Sequence, residues 1–277
     1  MPLTNIQTDV LKLLASHRDS ESYVAGATPL NRTAGRYSGD IDIFHDRGER
    51  VLQSAKEDTQ ALASAGYGIR WIRQWPMIQT AEITREADRT LLEWVADSDF
   101  RFFPTLADEI FGFILHPVDL AMNKVMAAAG RREVRDLVDL LTINDTILPI
   151  GAVVWAAVEK SPGFTPEGLV NEIRRNSNHP LAEWNALQTD APLDPKAITQ
   201  RLRAILEEAE AFIAQMPTAK AGLLFLEAAK VVQPDPTRLD TYQTHSGQRQ
   251  GHWPSSPEIS TAMLEHYTAI SRPPRRS

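Results

Sequence analysis

The chain has 277 residues, of which 43% are hydrophobic and 23% charged, a composition typical of one large globular domain or two ordinary ones. It contains no cysteine, which excludes disulfides and thiolate metal sites, and its net charge of −7 disfavours a broad nucleic-acid-binding surface. Apolar runs are too short for a membrane span and the N-terminus lacks a signal-peptide pattern, so we expect a cytoplasmic protein.

The first 116 residues predict a small mixed sheet with one or two helices. Helical spacing of apolar residues predicts helices over 5–18 and 49–65, and Gly66 and Gly68 would end the second one. Alternating or short apolar runs predict strands at 23–25, 41–44, 69–75, 78–84, 91–96 and 110–115.

From Pro117 onward the pattern becomes helical. Prolines separate predicted helices at 117–129, 133–147, 151–160, 165–175, 180–188 and 194–216, and residues 223–232 predict a last helix. After residue 232 apolar residues are scarce, which predicts an extended or disordered tail with a short helix at 258–270. The expected organisation is an α+β fold with a sheet domain at 1–116, a helical domain at 117–232 and a tail at 233–277.

The strand around residue 41 carries two carboxylates that face the same way. Side chains alternate along a strand, so Asp40 and Asp42 project to one face with Ser38, while Ile41 and Ile43 turn to the buried face. Two close carboxylates repel, and Mg²⁺, which binds a few carboxylates together with substrate phosphates, would relieve that repulsion. A solvated acidic edge of an ordinary strand is the alternative interpretation.

A third carboxylate, Glu93, lies in the middle of a predicted strand. Leu91, Glu93 and Val95 share one face, and an isolated acid on such a strand is either half-exposed or paired with a charge or a metal ion. Glu93 is therefore a candidate third ligand from a neighbouring strand, and Asp97 at the strand end is the competing candidate.

A helical pair further along the chain combines a lysine with two acids. Lys124 lies beside small residues on its helix, and Asp136 and Asp139 share a face of the next helix. This set predicts either a phosphate-binding lysine oriented by carboxylates or a surface ion-pair cluster. A basic cluster lies between and within these helices and comprises Arg131, Arg132 and Arg135. It predicts either a solvated helix end or a site for a polyanion such as an RNA end.

Three blocks in this order resemble the AbiEii/AbiGii-type nucleotidyltransferase toxin family, which includes the MenT-like tRNA-modifying enzymes. The blocks are the glycine turn at 23–30, YVAGATPL; the strand at 36–44, RYSGDIDIF; and the helical pair that begins at 116–124, HPVDLAMNK, and continues to the RDLVDL run at 135–140. The resemblance covers residues 5–145 and is most specific in the last block.

The resemblance implies a nucleotidyltransferase-like mixed sheet with flanking helices, followed by a C-terminal helical domain that completes the active-site cleft. It implies an enzyme that transfers NMP from an NTP (ATP, GTP or CTP) to a hydroxyl, with a tRNA 3′ end as acceptor and an antitoxin protein as partner. Mg²⁺, with Mn²⁺ as an alternative, would be held by Asp40, Asp42 and Glu93. The same three residues would be catalytic together with Lys124, which would hold the triphosphate, and Asp139.

Substrate-binding roles are implied for a further set of residues, namely Gly26, Thr28, Arg36, Ser38 and Asp136. Two other functions stay open. The same fold is also compatible with transfer to a small molecule or a protein hydroxyl, which the charge of −7 favours. Ala27 stands where relatives of the wider fold have the second residue of a Gly-Ser or Gly-Gly turn, which leaves a non-catalytic binding module as the third interpretation.

Overall fold

The computed structural model describes residues 3–32, 35–252 and 259–271. This part of the chain divides into two compact units. The first comprises residues up to 100 together with 104–116, and the second comprises residues 101–103 and the chain from 117 onward.

A mixed sheet organises the first unit, and it confirms the α+β class. Among the described residues, seven strands are joined in the order β3-β4-β5-β2-β1-β8-β7. Their bounds are β1 Ser22–Ala25, β2 Asp40–His45, β3 Gly68–Trp75, β4 Ile78–Arg85, β5 Asp88–Ala96, β7 Leu106–Asp108 and β8 Gly112–Ile114, and the short strand β6, Phe100–Arg101, lies between β5 and β7. The helices are α1 Asn5–Leu14, α2 Ala27–Leu30 and α3 Glu49–Ser64, and a 3-10 turn at Ala15–His17 follows α1.

The two faces of this sheet differ because side chains alternate along β2 and β5. Ile41 and Ile43 on β2, and Leu92 and Trp94 on β5, are fully buried or nearly so. The helices α1 and α3 cover this face: Gln7 of α1 donates to the hydroxyl of Thr90 at 3.3 Å. The opposite face is half-exposed along the same strands.

A buried carboxylate fixes α3 to the covered face. Asp58 accepts a hydrogen bond from Trp94 Nε1 at 2.7 Å and forms an ion pair with Arg18 at 2.7 Å. Because the carboxylate is paired and hydrogen-bonded, its burial is compatible with a stable core. A shift of β2 by one residue would turn its apolar side chains away from the covered face and bury Asp40 and Asp42 there instead. Packing on the covered face therefore fixes the register that leaves Asp40 and Asp42 on the opposite face.

The second unit is mainly helical. Its helices are α4 Pro117–Gly130, α5 Val134–Thr146, α6 Ile150–Ala157, α7 Pro166–Asn176, α8 Leu181–Asn185, α9 Pro195–Ile213 and α10 Thr261–Ser271, with 3-10 turns at Val158–Lys160, Thr218–Lys220 and Pro236–Thr241. Apolar faces of α4, α6, α7 and α9 form its core. The C-terminal end of α4 is capped by Asn176 of α7, whose side chain donates to the carbonyl groups of Ala128 and Ala129. No single helix in the described ranges could cross a membrane; α5 and the stretch Ile150–Lys160 pass by length and composition only as a pair bent by 108°.

The predicted last helix at 223–232 was wrong. Strands β9, Leu224–Glu227, and β10, Lys230–Val232, pair there as an antiparallel hairpin. Two alanines, which favour helices, instead form its turn with positive φ angles of 48° at Ala228 and 65° at Ala229. Pairing of the flanking β-branched and aromatic residues across the hairpin overrides the helix propensity of the alanines.

The prediction that residues 233–277 are extended or disordered was wrong for a large part of this segment. Strand β11, Gln243–His245, pairs with β9 and completes a sheet of three described strands, and β12, Gln248–Arg249, follows. The short helix predicted at 258–270 is confirmed by α10, Thr261–Ser271. Backbone pairing with β9 and a few buried side-chain contacts hold this segment in place, although its apolar content is low. His245 is 2% exposed, and its Nε2 donates to the carbonyl of Phe102 at 2.8 Å. The other part of the predicted tail, 253–258 and 272–277, lies outside the described residues.

Candidate active site

The site residues predicted from the sequence fall into two groups, one in each unit. The group in the first unit lies on and around the half-exposed face of β2 and β5, and we call Asp40, Asp42 and Glu93 the carboxylate face. The group in the second unit belongs to the helical pair α4 and α5.

Strand register places Glu93 directly beside Asp42. The parallel strands β2 and β5 pair Asp40 with Leu91, and Asp42 with Glu93. Both acids are half-exposed and, because partners in adjacent strands lie about 4.8 Å apart, they face the same volume. Asp97, the competing candidate, lies four residues further along, about 13 Å away, and beyond the last residue of β2. The register therefore favours Glu93.

Neighbouring hydroxyl groups orient two of the three carboxylates. Ser38 donates to Oδ1 of Asp40 at 3.0 Å and to its carbonyl oxygen at 2.9 Å. Thr80, the partner of Glu93 on β4, donates to Oε2 of Glu93 at 2.9 Å. Sequence reasoning missed Thr80, since a threonine on a strand is ordinary and only the register with β5 reveals its role.

Gly26 brings the backbone against Asp42. It follows β1 with a φ of 69° and a ψ of −144°, a conformation that L residues rarely adopt. A Cβ atom at this position would lie 1.8 Å from Oδ2 of Asp42. The turn at the end of β1 is thus shaped around the Asp42 carboxylate, and α2 begins immediately after it at the buried Ala27.

Three other predicted substrate-binding residues of this unit are buried. Thr28 is 1% exposed and donates to the carbonyl of Asp40 at 2.8 Å. Ser38 and Arg36 are each 3% exposed, and Arg36 donates to the carbonyl of Tyr37 at 3.0 Å. In the conformation described, Thr28 and Ser38 support Asp40 and Arg36 supports the approach to β2; their contact with a substrate stays a prediction.

The carboxylate face does not enclose a metal ion by itself. Within residues 3–32, 35–252 and 259–271, no three histidine or acidic side chains are arranged to hold one. The hydroxyl groups of Ser38 and Thr80 direct Asp40 and Glu93 separately. Mg²⁺ needs only one or two protein carboxylates when phosphates and water supply its other ligands, and Asp40 and Asp42 meet that requirement.

In the second unit, Lys124 and Asp139 form a buried ion pair. Lys124 Nζ lies 2.9 Å from Oδ2 of Asp139, and their side chains are 8% and 0% exposed. Asp136, the i−3 neighbour of Asp139, is also buried and receives two bonds from Arg131, at 2.7 and 2.9 Å. The helical pair is therefore a set of matched, largely buried charges, and the alternative of a surface ion-pair cluster does not describe it.

A third acid of the helical pair, Asp119, has a structural function that the sequence did not reveal. It is fully buried on α4 and accepts hydrogen bonds from the backbone N–H groups of Phe102 at 2.7 Å and Phe103 at 2.9 Å. Burial raises the pKa of the Asp119 carboxyl, while the two N–H groups and the nearby charge of Lys160 oppose that rise. Asp119 ties residues 101–103 into the second unit.

Arginines in the predicted basic cluster have partners within the chain. Besides the contact of Arg131 with Asp136, Arg132 donates to the carbonyl of Asn178 at 2.8 Å and lies 3.4 Å from Glu183. Arg135 lies 3.9 Å from Glu133. Acceptors and acids thus offset much of the cluster's charge, which weakens its interpretation as a polyanion site.

Comparison with known proteins gave two structural likenesses. No family model and no curated sequence matches the chain. The fold is similar to a protein from H. pylori assigned to the nucleotidyltransferases, with 15% identity and a TM-score of 0.45 over 74% of this chain and 92% of that one. It is also similar to MenT4, a nucleotidyltransferase toxin from Mycobacterium tuberculosis H37Rv, with 16% identity and a TM-score of 0.49 over 78% and 84%. At these scores neither likeness assigns a role to any residue of this chain.

Proposed function

We propose that the chain is a nucleotidyltransferase that moves NMP from an NTP to a hydroxyl acceptor and releases pyrophosphate. The observation that carries this proposal is the carboxylate face: Asp42 stands beside Glu93 in the adjacent strand, with Asp40 two residues away and Gly26 packed against Asp42. Transfer of this kind depends on positioning and charge neutralisation, which oriented carboxylates next to a close backbone can supply.

Mg²⁺, or Mn²⁺ in its place, fits the donor set of this face. Asp40 and Asp42 would hold it, with Glu93 beside them, and the absence of a side chain at Gly26 leaves the Asp42 carboxylate its space. When bound, the ion would neutralise phosphate charge and bring the nucleotide and the acceptor together.

The protein's own side chains would then move the proton and balance the charge. Glu93 would accept the proton of the acceptor hydroxyl, and the bond from Thr80 would hold Glu93 in place for this step. The family resemblance, and not the geometry of the carboxylate face, gives Lys124 the role of offsetting charge on the β- and γ-phosphates. The pair with Asp139 would fix its ammonium group. Asp136 would help to position α5, the helix that carries Asp139, through its ion pair with Arg131.

The acceptor and biological role follow from the family resemblance. We propose a tRNA 3′ end as acceptor, growth arrest as the outcome, an antitoxin protein as partner and the cytoplasm as the place of action. The supporting sequence features are the blocks at 23–30, 36–44 and 116–140.

The test is transfer of label from each α-labelled NTP, with Mg²⁺, to total tRNA. We expect transfer by the wild-type chain, its loss in Asp42→Ala, and its retention in Asp97→Ala, a matched removal of an acid at the end of β5. Label transfer that survives Asp42→Ala would refute the assignment of the carboxylate face. If wild-type and Asp42→Ala affect cell growth equally and neither transfers label, the chain is a non-catalytic binding module.

The ion pairs of the arginine cluster favour a second class of acceptor, a small molecule or a protein hydroxyl. Arg131 is paired with Asp136, and Arg132 and Arg135 also have acceptors or acids nearby, so this cluster offers an RNA little free charge. A small molecule or a protein hydroxyl would need no such patch. Label on the protein itself, or on a small metabolite, with none on RNA would select this alternative.

A further inference from the structure

The outer strand of the first sheet exposes aromatic and basic side chains. Strand β3 is the end strand of the seven described, and most of its residues are exposed. Trp75 is 61% exposed, and the guanidinium of Arg73 lies over its ring at 4.8 Å from the centroid. Apart from this ring contact, Arg73 makes no ion pair with any residue in the described ranges, so its charge is available to a ligand.

Strand register connects this pair to the carboxylate face. Arg73 is the partner of Thr80, Thr80 of Glu93, and Glu93 of Asp42, so these residues form one lateral row across β3, β4, β5 and β2. Three steps between strands separate Arg73 from Asp42, or about 14 Å. The row begins at an exposed arginine on the outer strand and ends at the proposed reaction centre.

A second row on the same face is apolar. Trp75 pairs with Ile78, Ile78 with Val95, and Val95 with Phe44, and the last three side chains are half-exposed. The face therefore has one polar row that includes two carboxylates and, beside it, an apolar row that ends in an exposed tryptophan. Flat rings prefer to lie on such an apolar surface, while phosphates prefer the adjacent arginine.

We infer that this face binds the single-stranded end of an RNA acceptor, with a base stacked on Trp75 and a phosphate at Arg73. We call Arg73 and Trp75 the stacking pair. The strand would run along the two rows so that its terminal hydroxyl reaches Asp42 and Glu93. The inference rests on the proposed function, and it places the RNA contact on β3, away from the neutralised arginine cluster of α4 and α5.

The alternative occupant of an exposed outer strand is a strand of a partner protein. A β-bulge interrupts β3 between Trp71 and Arg73, where Ile72 is the extra residue opposite β4. Bulges and arginines on an edge disfavour pairing with another strand. The stacking pair needs no free backbone edge, so RNA fits the observations better than a protein strand.

Trp75→Ala is the first test, measured as binding of a labelled single-stranded RNA oligonucleotide to the full chain. We expect RNA affinity to fall about 5- to 150-fold, the effect of losing one stacking ring, and Trp75→Phe to retain most of it. Leu52→Ala, which truncates a 54% exposed side chain on α3 at the covered face, is the matched control and is expected to change nothing.

The second test uses the salt dependence of RNA binding. Arg73→Ala should lower the slope of log affinity against log salt by about 0.7, the value for one phosphate contact on a single strand. Lys56→Ala, which removes an exposed positive charge from α3, should leave the slope unchanged. NTP binding is measured in parallel and is expected to be the same in all of these variants.

Failure of this inference is distinguishable from failure of the proposed function. If Trp75→Ala and Arg73→Ala bind RNA like the wild type, the stacking pair is not the RNA contact. If the wild type binds no RNA but transfers label from an NTP in an Asp42-dependent way, the inference is also overturned, while the enzyme assignment stands. Loss of binding to a partner protein in Trp75→Ala, with RNA binding unchanged, would assign β3 to a protein instead.

Discussion

Gly26→Ala tests whether the turn after β1 is shaped around the Asp42 carboxylate. A methyl group at this position would lie 1.8 Å from Oδ2 and 2.7 Å from Cγ of Asp42, so the carboxylate would have to move by roughly 1 Å, a displacement that can reduce an enzyme's rate about 100-fold. The φ of 69° adds backbone strain of about 1–3 kcal/mol for any residue with a side chain.

Two measurements separate these effects. We expect NMP transfer to fall about 100-fold and the free energy of unfolding, from denaturant titration, to fall by about 1–3 kcal/mol. Gly39→Ala is the matched control: it precedes Asp40, and a Cβ atom there meets no atom within 4 Å. If Gly26→Ala transfers NMP at the wild-type rate, or if Gly39→Ala loses as much activity, the close approach to Asp42 is irrelevant to the reaction.

Three further predictions concern single hydrogen bonds and buried charges. Thr80→Val removes the 2.9 Å bond to Glu93 and should lower kcat about 10- to 100-fold while KM for the NTP stays constant; an unchanged kcat would contradict the proposed role of Thr80. Lys124→Met leaves Asp139 buried without its cation and should cost about 3–5 kcal/mol in denaturant unfolding, whereas the double variant with Asp139→Leu should recover most of that loss. Burial lowers the pKa of His45 from 6.5 to about 3, so below pH 6.5 the unfolded chain binds a proton at His45 that the folded chain does not bind. The free energy of unfolding should therefore fall by about 1.4 kcal/mol per pH unit as the pH drops below 6.5. His45→Phe should remove this contribution when unfolding is measured between pH 6.5 and 5.

The common direction of Asp40 and Asp42 could be predicted because it depends only on the alternation of a strand. The position of Glu93 beside Asp42 depends on which strands are neighbours and in what register, and a single sequence does not determine either. Thr80 was missed for the same reason. The alanines at 228 and 229 illustrate the opposite error, since their helix propensity was read correctly but strand pairing on both sides of them decided the structure.

The binding of residues 101–103 by Asp119 has a consequence for gene fragments. The chain enters the second unit briefly, returns to the first for residues 104–116, and then leaves again. A fragment starting at residue 117 would therefore leave the buried Asp119 carboxylate without the two N–H donors of Phe102 and Phe103. The helical unit is thus not a module that can be cut away or fused in one piece, and its exchange between proteins would require three crossovers, at 100/101, 103/104 and 116/117, rather than one.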